Sequence, residues 1–552
     1  VNKKAHSAKA LSQVAKTRFG FDELRPGQTS AIQSALQGHD TLVVMPTGSG
    51  KSAIYQIAAF LIPGATVVVS PLIALQRDQV QAIAQQKVGD AAVLNSTLSE
   101  AERQETFEDL VEGDLEFLFL APEQFNNPET LEQLQAAQPS LFVIDEAHCV
   151  SSWGHDFRPD YLRLSTIIES LGHPRILALT ATAAPPVRQE IVERLGMQDS
   201  AVIVQGFNRP NIYLSAERFE DTAEKDKALI AQAVQAEKPG IIYAATRKRT
   251  EELAAALVEA GIQAAHYHAG MKQCDRTATE TAFMADEFEI LVATIAFGMG
   301  IDKPNIRSVL HADISDSVDS YYQEIGRVGR DGEPARATLF YDPSDLNLRR
   351  FMNSRGQIKA EAIEQVAEVL QNESEPVSPK ALHKQVDLSK AKVKKVLNQL
   401  VEVDAVEALA TGEVVPTASL ADTELTIAAA LEAQERQQQF EKSRLEMVRG
   451  YAEARDCRRK YLLNYFGEAF DPPCDNCDIC KAAANREEPE AKDDTPAHMP
   501  FPISSKVEHA SWGEGTVMSY ENHKITVLFD DVGYKSLSLD VLRLRKLLKK
   551  VE

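Results

Sequence analysis

The sequence predicts an α/β protein built on two tandem parallel-sheet domains, followed by smaller helical and all-β modules. Three observations predict it. An apolar run, Thr41 to Val44, leads through a glycine-containing loop into a helix-compatible stretch, Ala53 to Leu61, the order of a strand, an anion-binding loop and a helix. Apolar strands alternate with helical stretches, and the pattern restarts near Asn208, which suggests a second parallel sheet. Four cysteines crowd between Cys457 and Cys480, and short strands follow an acidic stretch near the C-terminus.

A chain of 552 residues exceeds what one core supports, so several domains are expected. The formal net charge of -22 argues against coating nucleic acid by bulk attraction and requires any such site to be a local basic track. No apolar segment follows Val1 to His6 and no long uncharged apolar run occurs elsewhere, so neither secretion nor membrane spanning is supported. The uneven placement of six cysteines fits a reducing cytoplasm better than a disulfide framework.

The loop is Met45-Pro46-Thr47-Gly48-Ser49-Gly50-Lys51-Ser52. Its glycines let backbone N–H groups of Thr47, Gly48, Ser49 and Gly50 approach phosphates, with Lys51 reaching the outer ones and Ser52 holding Mg2+. Met45 replaces the first glycine of the generic pattern. Upstream, Gln28 offers a donor and an acceptor to the edge of adenine, and Phe21 a stacking face. Downstream, Thr66 to Ser70 and Leu141 to Ile144 read as buried parallel strands. At the end of the second, Asp145 is placed to hold Mg2+ through water and Glu146 to orient and deprotonate the attacking water. Two acids after a strand also suit a solvated turn; the upstream loop makes that reading poor.

Asp145-Glu146-Ala147-His148 and the following Cys149 to Tyr161, with Ser152, Trp153, Phe157 and Arg158, resemble superfamily 2 helicases and, among them, the RecQ family. The resemblance implies two RecA-like lobes, ATP with Mg2+, and an aromatic loop that couples single-stranded DNA to hydrolysis. Trp153 and Phe157 are stacking faces and Arg158 a phosphate or stacking partner; a buried aromatic cluster with a paired arginine is the alternative. The family usually has glutamine at Ser152 and phenylalanine at Leu24. Phe19 to Gln28, with Phe21, Arg25 and Gln28, resembles its adenine motif. Pro71 to Gln79, with Arg77, and Ala121-Pro122-Glu123 resemble motifs that contact the DNA backbone. His148 and Thr180-Ala181-Thr182 resemble coupling residues.

In the second lobe, Gly240 to Tyr243, Ala264 to His268 and Ile290 to Thr294 read as strands and Arg249 to Ala260 as a helix. Phe297 to Asp302 and Gln323 to Gly332 resemble motifs for DNA contact and coupling, with Gln323 among the coupling residues. Arg327 and Arg330 lie three apart on a helix-compatible segment and can serve one polyanion. The resemblance assigns Arg330 as a finger that reaches across the cleft, with Arg327 beside it; a helical face of salt bridges is the alternative. Val328 stands where alanine is usual.

Ile363 to Leu370, a turn capped by Ser378 before Pro379, a helix capped by Ser389, and a ribbon from Val403 to Val415 predict a winged helix, placed earlier than in typical family members. Lys390, Lys392, Lys394 and Lys395 suit phosphate contact, and equally a solvated face. The wing has no aromatic tip to act as a strand-separating pin. Cys457, Cys474, Cys477 and Cys480, at spacing C-x16-C-x2-C-x2-C, suit a closed tetrahedral Zn2+ site and resemble the family's zinc module. Asn485 to Pro496 is a linker by composition. Four short strands between Lys506 and Leu539 predict a small antiparallel barrel. It resembles the Tudor-like module of UvrD-type helicases, implying protein docking, with nonspecific DNA contact as the alternative.

The expected fold class is therefore α/β: two tandem RecA-like parallel-sheet domains (1–207 and 208–350), a winged helix (351–420), a helical zinc-binding module (421–482), a linker (483–500) and a C-terminal Tudor/SH3-like β-barrel (501–552). The resemblance implies an ATP-dependent 3'-to-5' DNA helicase acting on single-stranded and forked DNA in repair and recombination. It is expected to be cytoplasmic and nucleoid-associated, monomeric, and able to dock a protein through 501–552. A DNA-stimulated translocase that remodels protein–DNA complexes and an ATP-switched scaffold are the alternatives.

Overall fold

The computed structural model describes residues 7–95, 98–151, 158–298, 302–354, 357–373, 375–409, 411–485, 500–503, 505–521, 523–545 and 547–551. The chain forms two compact units, one of Val1–Met45, Ser49–Gln205 and Gly356–Gln438, the other of Pro46–Gly48, Gly206–Arg355 and Gln439–Glu552.

The first unit is built on β1 (Thr41–Val44), β2 (Thr66–Val69), β3 (Ala91–Leu94), β4 (Phe117–Leu120), β5 (Leu141–Ile144), β6 (Arg175–Thr180) and β7 (Ala201–Val204). They form one sheet in the order β3-β4-β2-β5-β6-β1-β7, with every pairing parallel. Both faces of β1, β2, β4 and β5 are buried, which is why these strands read as unbroken apolar runs. Val43, Val68 and Val143 pack in one cluster with Ile54 and Ile57 of the helix Lys51–Leu61 and Ile32 of the helix Gln28–Gln37. The loop after β1, Asp145 after β5 and Thr182 after β6 leave the sheet at its carboxyl edge, where ligands bind in this architecture.

The same unit holds the predicted helix-and-ribbon module. The helices Ala360–Gln371, Pro379–Leu382 and Lys390–Glu402 and the antiparallel pair β14 (Val406–Ala408) and β15 (Val414–Pro416) enclose Ile363, Val366, Leu382, Val396 and Leu400. Ser378 and Ser389 cap as expected, accepting from the N–H of Ala381 and Lys392. Lys394 pairs its Nζ with Asp160 of the sheet domain at 2.8 Å, while its side chain stays exposed to solvent.

The second unit is built on β8 (Ile212–Arg218), β9 (Gly240–Tyr243), β10 (Ala264–Tyr267), β11 (Ile290–Ala293), β12 (Ser308–His311) and β13 (Ala335–Tyr341), in the order β10-β11-β9-β12-β13-β8 and all parallel. Cys457 and Cys477 cap the helices Arg458–Tyr465 and Asp478–Ala484, the second of which contains Cys480. The C-terminal module comprises β16 (Lys506–His509), β17 (Gly513–Glu521), β18 (Lys524–Phe529), β19 (Gly533–Ser538) and β20 (Leu548–Lys550), an antiparallel sheet ordered β19-β18-β17-β16-β20. The helix Leu539–Arg545 and β20 add to the four expected strands in one antiparallel sheet. A seven-residue helix and a three-residue strand are too short to show a hydrophobic period. Among the described residues no helix is long and apolar enough to cross a membrane. Most of the expected linker lies outside the described residues.

Candidate nucleotide site, coupling residues and metal centre

Gly48 and Gly50 both adopt φ +78, a left-handed conformation that glycine adopts without steric cost. Gly50 caps the helix Lys51–Leu61, so the helix dipole and free N–H groups face the loop. Gln28 Nε2 donates to the carbonyls of Ser49 (3.1 Å) and Gly50 (2.9 Å), and its Oε1 accepts from the Arg25 N–H at 2.7 Å. Read from sequence as a partner for adenine, Gln28 thus spends both its amide hydrogens on the loop. Phe21 is half-buried and stacks on Phe19 with ring centroids 6.2 Å apart, while Arg25 is exposed. The hydroxyls of Thr47 and Ser49 are buried without a hydrogen-bond partner, and Lys51 Nζ donates to the Met45 carbonyl at 3.1 Å. Ser52 is half-buried.

Asp145 and Glu146 lie directly after β5. Glu146 takes φ +49, a costly conformation outside glycine, and its N–H donates to Asp145 Oδ1 at 3.0 Å. Burial, and then the charge of Glu146, push the Asp145 carboxyl up to about 7 against the opposing pull of Lys51. A dication would relieve this by favouring the ionised form. The glycine cradle, the unpaired hydroxyls, Lys51 and the strained acid pair fit a triphosphate with Mg2+. Tyr161, which carried no signal of its own in the sequence, donates from its hydroxyl to the Asp145 carbonyl at 3.3 Å.

His148 is fully buried, with Nδ1 3.4 Å from Glu146 Oε2 and 2.8 Å from Thr180 Oγ1. Thr180 Oγ1 donates to the Thr182 carbonyl at 3.1 Å and accepts the Thr182 N–H at 3.2 Å. These three residues form a buried hydrogen-bonded chain at the end of β6, with the Glu146 carboxylate beside His148. Arg77 is exposed on the helix Ile73–Gln86. Arg158 Nη1 donates to the Pro71 carbonyl at 3.3 Å, tying the end of the aromatic segment to the loop after β2. Ser152, Trp153 and Phe157 lie outside the described residues, as do residues 299–301.

In the second unit the helix Val318–Ile325 ends at Gly326. Arg327 and Arg330 therefore sit in the turn beyond it, a correction to the expected helical spacing; Gly329, at φ +57, lies between them in that turn. Gln323 is half-buried on that helix. Arg330 Nη1 pairs with Asp302 at 2.6 Å, and burial, then the neighbouring Arg327, lower its pKa. Arg327 is 3% exposed.

Two arginines that sequence reasoning missed hold this turn. Arg209 donates to the carbonyls of Gly326 (3.2 Å), Val328 (2.9 Å) and Gly329 (2.9 Å). Arg459 of the cysteine-capped helix donates to Asn208 Oδ1 (2.9 Å) and to the carbonyls of Arg209 (2.6 Å) and Ile212 (2.6 Å). Both bond backbone carbonyls far away in sequence, a role no local pattern announces.

The sulfur atoms of Cys457, Cys474, Cys477 and Cys480 lie within 4.8 Å of one another, with Cys474 and Cys480 at 3.9 Å. A tetrahedral site with Zn–S near ~2.3 Å needs sulfurs about 3.8 Å apart, so the cluster fits structural Zn2+. Glu251, His266 and His268 also group together. His268 Nδ1 accepts the Gly270 N–H at 3.2 Å, so the ring proton lies on Nε2 and faces Glu251 at 2.9 Å, a hydrogen bond that competes with metal ligation.

Residues 25–191 match the family model described as DEAD/DEAH box helicase, and 224–332 that of the helicase conserved C-terminal domain. Together with the two sheets and the loop-and-acid site, this defines an ATP-dependent helicase core. Residues 416–481 match the RecQ zinc-binding model. The chain is 41% identical over 366 residues to the probable ATP-dependent DNA helicase RecS of Bacillus subtilis, covering 66% of this chain and 73% of that one. It is 36% identical over 464 residues to the ATP-dependent DNA helicase RecQ of Pasteurella multocida, covering 84% of this chain and 61% of that one. The chain belongs to the RecQ family of DNA helicases. The crystal structure of the DUF1998 helicase MrfA bound to DNA and AMPPNP shares the fold, with a TM-score of 0.51 at 18% identity over 74% of this chain and 61% of that one. Residues 505–547 match a model described as a protein of unknown function (DUF3553).

Proposed function

We propose that this protein is an ATP-dependent 3'-to-5' helicase that unwinds forked or branched DNA in repair and recombination, acting as a cytoplasmic monomer. The observation that carries the reading is the shared environment of Lys51 and the half-buried Asp145–Glu146 pair at the carboxyl edge of a parallel sheet. Lys51, Ser52 and the loop N–H groups bind and orient the triphosphate, and Glu146 takes the proton of the attacking water. Asp145 and Ser52 would hold Mg2+, which would supply neutralisation of phosphate charge. Arg330 of the second unit is assigned the charge-stabilising finger, with Arg327 beside it. Arg77, Arg158, Trp153, Phe157 and Gln323 are assigned to DNA contact and coupling, and His148, Thr180 and Thr182 to relaying the state of Glu146. The terminal module is assigned docking of a protein partner.

A second reading, a translocase with little unwinding, is favoured by one observation: between β14 and β15 the chain carries no aromatic side chain. Strand separation on forks of both polarities decides between them. ATP-dependent separation from a 3' tail supports the helicase; DNA-stimulated ATP hydrolysis without separation supports the translocase.

A further inference from the structure

The C-terminal module packs into the second unit through β17, which lies against the helix Arg458–Tyr465, and through the start of β19. Gly533 begins β19 at φ +70 and passes so close to the long helix Thr423–Ala452 that a Cβ there would meet Ser443 Oγ at 2.3 Å. The next residue, Tyr534, is 7% exposed, donates its N–H to Ser443 Oγ at 3.0 Å, and stacks on Phe440 (6.0 Å) and Tyr465 (5.5 Å, 25° between planes). Tyr465, on the helix Arg458–Tyr465, donates its hydroxyl to Asp319 Oδ2 at 2.5 Å, and Arg444 Nη2 lies 3.8 Å from the same carboxylate. Asp319, itself 5% exposed, is in the first turn of the helix Val318–Ile325. That helix ends at Gly326, directly before the turn that carries Arg327 and Arg330.

We propose that the C-terminal module is a brace whose β18–β19 turn, seated through Tyr534 on Tyr465, holds the helix Val318–Ile325 and thereby positions Arg327 and Arg330. The chemistry favours such a role. A carboxylate buried at a helix N-terminus is stabilised by the helix dipole. Here the Tyr465 phenol hydrogen-bonds it and the Arg444 guanidinium lies in ion-pairing range, so its helix follows their position. A stacked tyrosine pair resists shear because each ring buries its face in the other. Tyr534, Tyr465 and Asp319 are positioning residues, and none needs to touch nucleotide or DNA. The brace uses the β18–β19 end of the module and leaves the helix Leu539–Arg545 outward, with Leu544 84% exposed. The catalytic consequence rests on the reading of Arg327 and Arg330 given above.

The test uses the full chain and three variants. Tyr534→Ser removes the seat, Tyr465→Phe keeps the stack and removes only the hydroxyl that holds Asp319, and Arg330→Ala removes the finger alone. Backbone amide exchange across 318–325 and the kcat and KM of DNA-stimulated ATP hydrolysis are read together. Tyr534→Ser is expected to speed exchange in that helix about tenfold, the equivalent of one charge-assisted hydrogen bond. Its kcat falls about fivefold while KM for ATP stays within about twofold. Tyr465→Phe is expected to give the same pattern at smaller size, and Arg330→Ala to lose kcat without changing exchange. Parental exchange and kcat in both tyrosine variants overturn the brace. If Tyr534→Ser fails to fold, Tyr465→Phe decides alone by the same readings. Faster exchange with unchanged kcat, in company with an active Arg330→Ala, upholds the brace and overturns the finger reading instead.

Discussion

Replacing Arg459 by lysine tests how the cysteine-capped helix supports the turn that holds Arg327 and Arg330. The guanidinium is 4% exposed and bonds three acceptors between Asn208 and Ile212. Each bond from a charged donor contributes about 1.5 kcal/mol. Lysine keeps the charge but not the planar fork, and satisfies one of the three acceptors, so about 3 kcal/mol should be lost. The loss is read as the shift in the guanidinium chloride midpoint of zinc release, followed with a chromogenic chelator. The same substitution frees the backbone of Arg209, whose side chain bonds Gly326, Val328 and Gly329. DNA-stimulated kcat should fall about tenfold with ATP affinity nearly unchanged, the pattern of an interaction used in the transition state. A midpoint shift worth less than about 0.5 kcal/mol, the scatter of neutral surface changes, together with parental kcat, refutes the argument.

Lys51→Ala removes the ammonium that opposes Glu146 at Asp145, and turnover should vanish; normal ATPase activity refutes the site. Arg330→Ala should keep nucleotide binding, measured with a fluorescent analogue, and lose about 10³-fold or more in hydrolysis; equal loss of binding contradicts a finger role. Cys477→Ser should release the zinc and melt the helix Arg458–Tyr465, seen as loss of metal by elemental analysis and of amide protection. Asp145, pushed up to about 7 by burial and Glu146, binds a proton in competition with Mg2+. The Mg2+ concentration for half-maximal hydrolysis should therefore rise as pH falls through about 7, and a flat profile between pH 8 and 6 contradicts the assignment.

The zinc cluster and the phosphate loop were legible because their chemistry is local. Four thiolates at short spacing, or two glycines before Lys51-Ser52, meet their ligand whatever the rest of the chain does. Helices capped by Ser378 and Ser389 were legible for the same reason, since the cap bonds an N–H three residues on. Arg327 and Arg330 were found as residues but given helical geometry, because the pattern that favours a helix through Gln323 does not show that the chain turns at Gly326 and Gly329.

The sequence by itself determined the two parallel sheets, the loop, the acid pair and the metal ligands, each set by contacts within a few residues or by burial of whole strands. Tertiary structure alone decided the use of Gln28 on its own loop, the burial of the His148–Thr180–Thr182 chain, the pinning by Arg209 and Arg459, and the seat of Tyr534. Each of these is a hydrogen bond or ring stack between residues distant in sequence. Such a contact leaves no periodicity, so it becomes visible only when the packed elements bring its two ends together.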